Sequence, residues 1–84
     1  MSEEQSIDLD QLIARKTVRG VADVSLELEN KKLSDDEVTR LANMELLAEV
    51  THLDLGENNI SDVGVAALCQ SPYTKKLKSL NLKS

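Results

Sequence analysis

The stretch Val50–Ile60 constrains the fold of this chain more than any other segment. It reads VTHLDLGENNI and fits the pattern L-x-x-L-x-L-x-x-N-x-L, with valine and isoleucine as the outer aliphatic residues. In an extended strand, Leu53 and Leu55 point to one side, into a core, and the residues between and beside them point to solvent. Asn58 falls where the chain bends, and a buried amide there can bond backbone groups of the bend and of a neighbouring coil. The stretch therefore predicts a strand followed by a tight turn.

The same pattern returns at an interval of 27 residues on both sides of this stretch. The paired core leucines of the three copies are Leu26 and Leu28, Leu53 and Leu55, and Leu80 and Leu82. Residues of the turn and helix repeat likewise: Leu33, Ser34, Asp35, Val38 and Leu41 correspond to Ile60, Ser61, Asp62, Val65 and Leu68. So many matches at one period indicate a repeat protein. We therefore expect short parallel strands at about Ser25–Glu29, His52–Gly56 and Ser79–Lys83, with a helix after each of the first two.

The segment after the second strand carries a more specific signal. Residues 58–68 read NNISDVGVAAL and resemble the N-x-I-x-D-x-G-x-x-x-L segment of the ribonuclease-inhibitor-like branch of the leucine-rich-repeat family. The resemblance covers roughly residues 23–84. It implies an α/β fold, a right-handed solenoid forming a segment of a horseshoe, in which short parallel strands alternate with helices. It also implies a non-enzymatic protein-protein interaction module that binds its partner through the concave strand face.

The first repeat departs from the family pattern at two positions. Asp23 stands where the pattern has leucine, and Lys31 occupies the asparagine position. Asn30 is adjacent and could serve if the register slips by one residue. Terminal repeats often deviate in this way, because no further coil covers their outer face. The first turn is therefore expected to be built differently from the second.

The division of the chain follows from the repeat boundaries. We expect residues 1–22 to form an N-terminal tail and a capping helix. Residues 23–84 then form the repeats, divided as 23–49, 50–76 and a partial repeat at 77–84. A chain of 84 residues has room for one domain, with a marginal core unless its elements are very regular or are completed by another chain.

The N-terminal helix is predicted from its caps and its apolar face. Ser6 can cap a helix that runs to about Thr17, with acids in the first turn and bases in the last, which suits the helix dipole. Its apolar residues fall on one face: Leu9, Leu12 and Ile13. Their spacing matches that of the repeat helices, so we interpret this helix as a degenerate repeat helix that acts as a cap. Gly20 is placed to end the segment before the first strand.

Both repeat helices have recognisable ends. The segment Ser34–Glu37 is a capping box, which predicts that the first repeat helix starts at Asp35. The residues expected to pack inside as this helix forms and closes are Val38, Leu41, Ala42, Met44, Leu46 and Leu47. The second repeat helix is expected to start after Ser61 and to end near Gln70, because Pro72 bars its continuation. Its expected buried residues are Val65, Leu68 and Cys69.

Composition narrows the ligands and the compartment. Tyr73 is the only aromatic residue, so the core suits stacked repeats better than a pocket for a flat cofactor, and no cofactor is expected. No apolar run is long enough to span a bilayer, and the acidic, polar N-terminus does not match a standard secretory signal. The single Cys69 cannot form an internal disulfide, which is compatible with a reducing compartment. We therefore expect a cytoplasmic protein, with export without a cleaved signal left open.

The charge distribution bears on the kind of partner. The net charge of −5 argues against a nucleic-acid backbone or an anionic membrane. Residues 1–62 carry fifteen acids and six bases, which gives −9, and residues 63–84 carry four bases and no acid, which gives +4. The basic side chains of this last segment are Lys75, Lys76, Lys78 and Lys83. We interpret them as a solvated loop and strand edge.

The residue types that carry catalysis or bind metal do not form a recognisable site. His52 and Asp54 lie two apart on one strand face, a spacing that can place two ligands on one metal, but no third ligand accompanies them, so we interpret them as solvated. Cys69 occupies a core position of a helix without a base partner and is interpreted as a buried structural thiol. Gly56 and Gly64 lie outside any glycine-rich phosphate loop. No enzyme activity, catalytic residue or metal site is therefore expected.

The remaining candidate is the concave face of the strands. Its side chains form three expected rows: Ser25, His52 and Ser79; Glu27, Asp54 and Asn81; and Glu29, Gly56 and Lys83. The candidate partner-binding residues are Glu27, Glu29, His52, Asp54, Asn81 and Lys83. The acids among them favour a protein partner with a basic surface. A purely solvated face is the alternative, because solenoid strands need polar residues outside in either case.

The third predicted strand lacks a predicted helix to cover it. Leu77, Leu80 and Leu82 follow the inward pattern, so an open strand edge and an uncovered leucine layer are expected. One interpretation is that the chain is the N-terminal part of a longer leucine-rich-repeat protein. The other is a self-assembly module, a homo-oligomer in which the C-terminal strand pairs with another chain. In that case the basic end is expected to meet the acidic front half of a neighbour, head to tail.

Overall fold

Short strands alternate with helices in the computed structural model, which describes residues 8–83. The elements are α1 (Leu9–Lys16), β1 (Thr17–Arg19), β2 (Val24–Glu27), α2 (Asp35–Ala42), a 3₁₀ helix (Glu45–Glu49), β3 (His52–Asp54), α3 (Asp62–Cys69) and β4 (Ser79–Asn81). The strands form one four-stranded sheet in the order β1-β2-β3-β4. The core lies between the leucine-bearing face of this sheet and the helices. No helix within this range is long and apolar enough to cross a bilayer.

The repeat interval predicts the three parallel strands and their register correctly. β2 pairs with β3 and β3 with β4, both parallel, so that Leu26, Leu53 and Leu80 lie opposite one another. The strands end earlier than expected, but the hydrogen bonds continue past their ends, as between Leu28 N and Asp54 O at 2.9 Å. The interval of 27 residues sets this register because it returns the chain to the same height on the sheet after each coil.

β1 is the element that the sequence pattern does not predict. It pairs antiparallel with β2, and Val18 lies opposite Ser25. In the turn between the two strands, Gly20 N donates to Asp23 O at 2.7 Å. β1 therefore covers the edge of β2 that a preceding repeat would occupy.

α1 begins later than the sequence predicts. Its N-cap is Asp8, whose Oδ1 accepts a hydrogen bond from Gln11 N at 3.2 Å. Ser6, the predicted cap, lies outside the described residues. Leu9 and Ile13 are buried on the inner face of the helix, as predicted, and the helix packs against β2.

α2 starts at Asp35, as the capping box predicts. Glu37 Oε1 accepts from Ser34 N at 2.8 Å and from the Ser34 hydroxyl at 2.5 Å. The helix buries Val38, Leu41 and Ala42. In the 3₁₀ helix that follows, Leu47 is fully buried, whereas Leu46 is 41% exposed. The prediction that Leu46 packs inside is wrong, because adjacent residues of a 3₁₀ helix point about 120° apart.

α3 corrects the prediction for Cys69. The helix buries Leu68, but Cys69 is exposed and Val65 is only half-buried. Adjacent residues of an α-helix point about 100° apart, so the burial of Leu68 turns the next side chain toward solvent. Cys69 is therefore an exposed free thiol rather than a buried structural one.

A buried asparagine ties the first two repeats together. Asn58 Oδ1 accepts hydrogen bonds from Lys31 N at 2.9 Å and from Leu33 N at 3.0 Å. Its Nδ2 donates to Leu28 O at 2.8 Å and to Leu55 O at 3.0 Å. The amide thus satisfies backbone groups of its own turn and of the turn before it, which confirms the role predicted for it.

The same geometry explains why the first repeat lacks its own asparagine. Asn58 belongs to the second repeat and bonds the backbone of the first turn. By the same rule, an asparagine at the position of Lys31 would bond the turn of a repeat before the first, on the side of the sheet that β1 occupies. Asn30 does not replace it: its side chain is exposed, and its backbone adopts a positive φ of 54°. Glu57 holds the equivalent place in the second turn, with a φ of 59°.

A second link joins the beginnings of α2 and α3. The Asp35 carboxylate accepts from Ser61 N at 2.8 Å, from the Ser61 hydroxyl at 2.5 Å and from Gly64 N at 3.1 Å. A Cβ atom on Gly64 would lie 2.7 Å from Asp35 Oδ1, so this close approach requires glycine. The hydrogen bonds, above all that of the Ser61 hydroxyl, hold the pKa of the Asp35 carboxyl below its ordinary value.

We expect Asn58→Leu to destabilise the fold far more than Asn59→Leu. The leucine leaves backbone groups of two turns without partners, at roughly 1–3 kcal/mol for each buried group. The side chain of Asn59 is exposed, and its replacement should change the free energy of unfolding by less than about 0.5 kcal/mol. Urea titrations of both variants measure the difference. Equal losses of stability would show that Asn58 does not hold the turns.

We also expect acid to weaken the link between α2 and α3. The folded chain holds the pKa of Asp35 below its ordinary value of 3.8, so the unfolded chain binds this proton first as the pH falls. The stabilisation is therefore fully present above pH 3.8 and is lost as the pH falls through the lowered pKa. In Ser61→Ala, the pKa of Asp35 should rise toward 3.8. An NMR titration of the Asp35 carboxyl that shows the same pKa in both proteins would contradict this.

Candidate functional site

Polar side chains leave the sheet on the face opposite the core leucines. We call this surface the exposed sheet face, and it is formed by Val18, Ser25, Glu27, His52, Asp54, Ser79 and Asn81. Its first row is Val18, Ser25, His52 and Ser79, and its second row is Glu27, Asp54 and Asn81. Residues paired across strands point to the same side of a sheet, and neighbouring strands lie about 4.8 Å apart. Each row is therefore a line of adjacent side chains.

The structure brings together four of the predicted partner-binding residues. They are Glu27, His52, Asp54 and Asn81, all on strands and in register. Glu29 and Lys83 lie beyond the ends of β2 and β4, and both are exposed. The two rows are thus the continuous part of the predicted site.

A shallow depression of about 310 Å³ lies on the exposed sheet face. The side chains around it are Ser25, Glu27, His52, Asp54, Ser79 and Asn81. Pockets that engulf a small ligand are concave and mostly apolar. This depression is open to solvent, and only Leu26 and Leu53 among its lining residues are apolar, so it is better suited to side chains of another molecule.

Asp54 is held in place by its neighbours on this face. Its Oδ1 accepts from Gly56 N at 2.9 Å and from Asn81 Nδ2 at 3.0 Å. Gly56 leaves the space for this arrangement, since a Cβ atom there would lie 3.1 Å from Asp54 Oδ1 and 3.2 Å from Asn81 Nδ2. Among the described residues, the two hydrogen bonds that the Asp54 carboxylate accepts are both to Oδ1. They fix the orientation of the carboxylate, and Oδ2 can accept a hydrogen bond from another molecule.

His52 is oriented by the preceding threonine. The Thr51 hydroxyl lies 2.8 Å from His52 Nδ1, 3.0 Å from Val24 N and 3.1 Å from Val24 O. When the hydroxyl donates its one proton to Val24 O, it accepts a hydrogen bond from His52 Nδ1, which fixes the orientation of the ring. Within residues 8–83, no group of three or more His, Cys, Asp or Glu side chains is placed to hold a metal ion.

One lysine of the basic end is paired across the sheet. Lys78 Nζ lies 3.1 Å from Asp23 Oδ1, and this hydrogen bond and charge hold the pKa of Asp23 below its ordinary value. Both side chains are largely exposed, so the pair adds little to stability. Asp23, the residue that departs from the leucine pattern, therefore acts as a counter-ion for Lys78.

Val18 is the residue of the exposed sheet face that the sequence analysis missed. It is 53% exposed and lies beside Ser25. The sequence contains a local signal for β1. Thr17 and Val18 are β-branched and Gly20 follows them, a combination that favours a strand and a turn. β1 places an apolar side chain next to the polar rows.

One comparison with known proteins gives a match. Residues 50–69 match the family model described as Leucine Rich repeat, a range that contains β3, the turn at Asn58 and α3. The comparisons with curated proteins and with solved structures gave no match. The family match supports a leucine-rich-repeat family, which is generally a non-enzymatic protein-interaction fold. The mixed α/β architecture fits such a family.

Proposed function

We propose that this chain is a protein-interaction module of the leucine-rich-repeat type that binds a partner protein through the exposed sheet face and the adjoining Glu29 and Lys83. The observation that carries the proposal is the alignment of Glu27, Asp54 and Asn81 in one row beside a shallow depression. Side chains carried by strands are held more rigidly than side chains on loops. The row therefore offers a partner a fixed polar surface.

The side-chain types favour a binding surface over a merely solvated one. Apart from Glu27, the rows consist of short or rigid side chains: Val18, Ser25, His52, Asp54, Ser79 and Asn81. Immobilising a long, flexible side chain on binding costs about 0.5–1.5 kcal/mol, and these residues avoid most of that cost. Asp54 is already fixed by two hydrogen bonds. Little ordering is needed when a partner docks.

The acidic side chains set the chemistry of the partner. Glu27 and Asp54 lie on neighbouring strands, and Glu29 follows the first of them. Within residues 8–83, none of the three forms a salt bridge. Lysine or arginine side chains of a partner would neutralise them and would speed association by charge attraction. With a net charge of −5, the chain suits a basic protein surface rather than a nucleic acid or an anionic membrane.

We further propose that the chain forms a right-handed solenoid of the ribonuclease-inhibitor-like branch. Asp35 is the first-repeat counterpart of Asp62, the aspartate in that branch's segment, and Gly64 is the glycine of the segment. The hydrogen bond from Gly64 N to the Asp35 carboxylate supports the proposal, because it gives these two positions a shared role between successive repeats. Residues 1–22 would form the N-terminal tail and cap, and residues 23–84 the repeats. Cytoplasmic residence is part of the same proposal, since a reducing compartment would keep the exposed Cys69 as a thiol.

Charge reversal at the two glutamates tests the binding face. Glu27→Lys combined with Glu29→Lys should weaken a basic partner chiefly by slowing association, with an effect that shrinks at high salt. Asp54 is left unchanged because it orders its own turn. The probe is a set of defined lysine- and arginine-rich peptides, and association rates are measured by surface plasmon resonance at several salt concentrations.

The matched control combines Asp36→Lys with Glu45→Lys. These exposed residues lie in α2 and the 3₁₀ helix, and their reversal changes the net charge by the same amount. The control should slow association much less than the reversal on the sheet. Equal slowing by both variants would show that only the total charge matters, and the binding face would then have to be sought elsewhere.

Self-assembly through β4 is the second candidate function. Leu80 on β4 is 40% exposed, whereas Leu53, at the same height on β3, is 1% exposed. The segment around β4 also carries the lysines of the basic end. β1 changes the expected head-to-tail contact, because it already covers the edge of β2. A neighbouring chain's β4 would therefore have to meet the outer edge of β1.

Sedimentation over a range of concentrations tests this second candidate. An assembly module should gain mass as the concentration rises, and Leu80→Lys should keep it monomeric, because the lysine would charge the buried edge of the contact. Val63→Lys, at an exposed position of α3, is the control and should leave association unchanged. A chain that stays monomeric throughout contradicts assembly and leaves the partner-binding proposal standing.

A further inference from the structure

An apolar groove of about 390 Å³ lies on the opposite side of the sheet from the exposed sheet face. Its floor and walls are formed by Ile13 and Ala14 of α1, Val24 of β2, Leu46 of the 3₁₀ helix, and Val50. Ile13 and Val50 are buried beneath it. We call this surface the N-terminal groove. It shares no lining residue with the depression on the other face.

Leu46 is the clearest sign that the groove lacks an occupant among the described residues. It is 41% exposed, although its neighbour Leu47 is fully buried. Ala14 is exposed on the opposite wall. Burial of such apolar surface is the main favourable term in protein association. A molecule that fills the groove would therefore gain most from the side chain of Leu46.

The rim of the groove carries an excess of negative charge. Asp10 lies on the α1 side, and Arg19 and Glu49 lie on the other side, with Arg19 Nη1 3.1 Å from Glu49 Oε1. Two acids and one base give a rim charge of −1. Within residues 8–83, Asp10 forms no salt bridge. The rim thus favours an occupant that carries a base beside its apolar residues.

Charge also distinguishes three candidate occupants of the groove: a second copy of the chain, residues 1–7, and a segment of another protein. A second copy of this chain carries a net charge of −5, and the lysines of its basic end lie outside its helices, so it offers the acidic rim no basic helix there. Residues 1–7 include Glu3 and Glu4 and no basic side chain, so they are a poor match for an acidic rim. A basic segment of another protein is attracted by both the rim and the whole chain.

The architecture favours a helical segment over a strand. The leucine-bearing side of the sheet is covered by helices, and the groove runs between α1 and the 3₁₀ helix. A sheet buries its apolar face most readily beneath helices, and an amphipathic helix places anchors at i, i+3, i+4 and i+7 into such a groove. A helix with this spacing would continue the helical layer.

We propose that the N-terminal groove binds an amphipathic helix of a partner protein, with aliphatic residues on its buried side and lysine or arginine beside them. This surface is separate from the exposed sheet face, and the proposal does not depend on binding there.

NMR titration of the labelled chain of residues 1–84 tests the proposal. The probe is an acetylated, amidated helical peptide of leucine and lysine with leucines at i, i+3, i+4 and i+7. A second peptide has glutamate in place of each lysine. The lysine peptide should bind and shift the amide signals of Ala14, Leu46 and Val50, and the glutamate peptide should not. Equal binding of the two peptides, no binding of either, or shifts confined to the exposed sheet face would overturn the proposal.

Two pairs of variants separate the groove from the rest of the surface. Leu46→Glu should weaken the lysine peptide by at least about tenfold, since it removes the main apolar contact and places a carboxylate under the leucines of the peptide, where its desolvation outweighs its attraction for the lysines. Val63→Glu, an equal change at an exposed position of α3, should leave its affinity unchanged. Asp10→Lys and Asp36→Lys both alter an acid in the first turn of a helix, and only the former should weaken binding. If the variants of either pair lose affinity equally, the site is not the groove.

The other occupants give distinct results in the same samples. A second copy in the groove would appear as an increase of mass with concentration that Leu46→Glu abolishes. Residues 1–7 in the groove would give nuclear Overhauser contacts between them and Leu46 that the peptide displaces. Either result overturns the proposal of a basic partner helix.

Discussion

The buried amide of Asn58 holds two successive coils of this chain in one register. A single side chain supplies an acceptor to Leu33 N and a donor to Leu28 O, groups that would otherwise be buried without partners. Hydrocarbon of the same size could fill the space but could bond neither group. The first turn therefore depends on a residue of the second repeat. Stability in such a chain lies largely in the contacts between neighbouring repeats.

The register set by this link also decides which side chains reach solvent. Successive residues of a strand point to opposite faces, so a slip of one residue would put Leu53 where Asp54 now stands. The alignment of Glu27, Asp54 and Asn81 could therefore be predicted from the sequence, because the core leucines fix it. The locking of Asp54 by Gly56 and Asn81 could not, since it depends on distances that a repeat interval does not determine.

Elsewhere in the fold, the sequence likewise predicts the features that the repeat interval determines and not those that local packing determines. The interval of 27 residues involves many positions, and the parallel strands and both repeat helices follow from it. β1 spans Thr17–Arg19, too short to show a period, and it pairs outside the repeat pattern. The sequence pattern wrongly predicts burial of Leu46 and Cys69, because each stands beside a buried leucine, Leu47 or Leu68. Where two adjacent residues are both apolar, only packing decides which one faces the core.

β1 connects the two surfaces that we propose for binding. Its alternation sends Val18 to the exposed sheet face beside Ser25, while Thr17 and Arg19 line the N-terminal groove on the other side. β2 does the same with Val24 on the groove side and Ser25 and Glu27 on the exposed sheet face, so the two surfaces share two strands but no side chain. Occupancy of one face therefore leaves the side chains of the other unobstructed, and the backbones of β1 and β2 are the routes by which the two faces could be coupled. A strand of three residues, with its outer edge unpaired among the described residues, is a deformable element for such coupling.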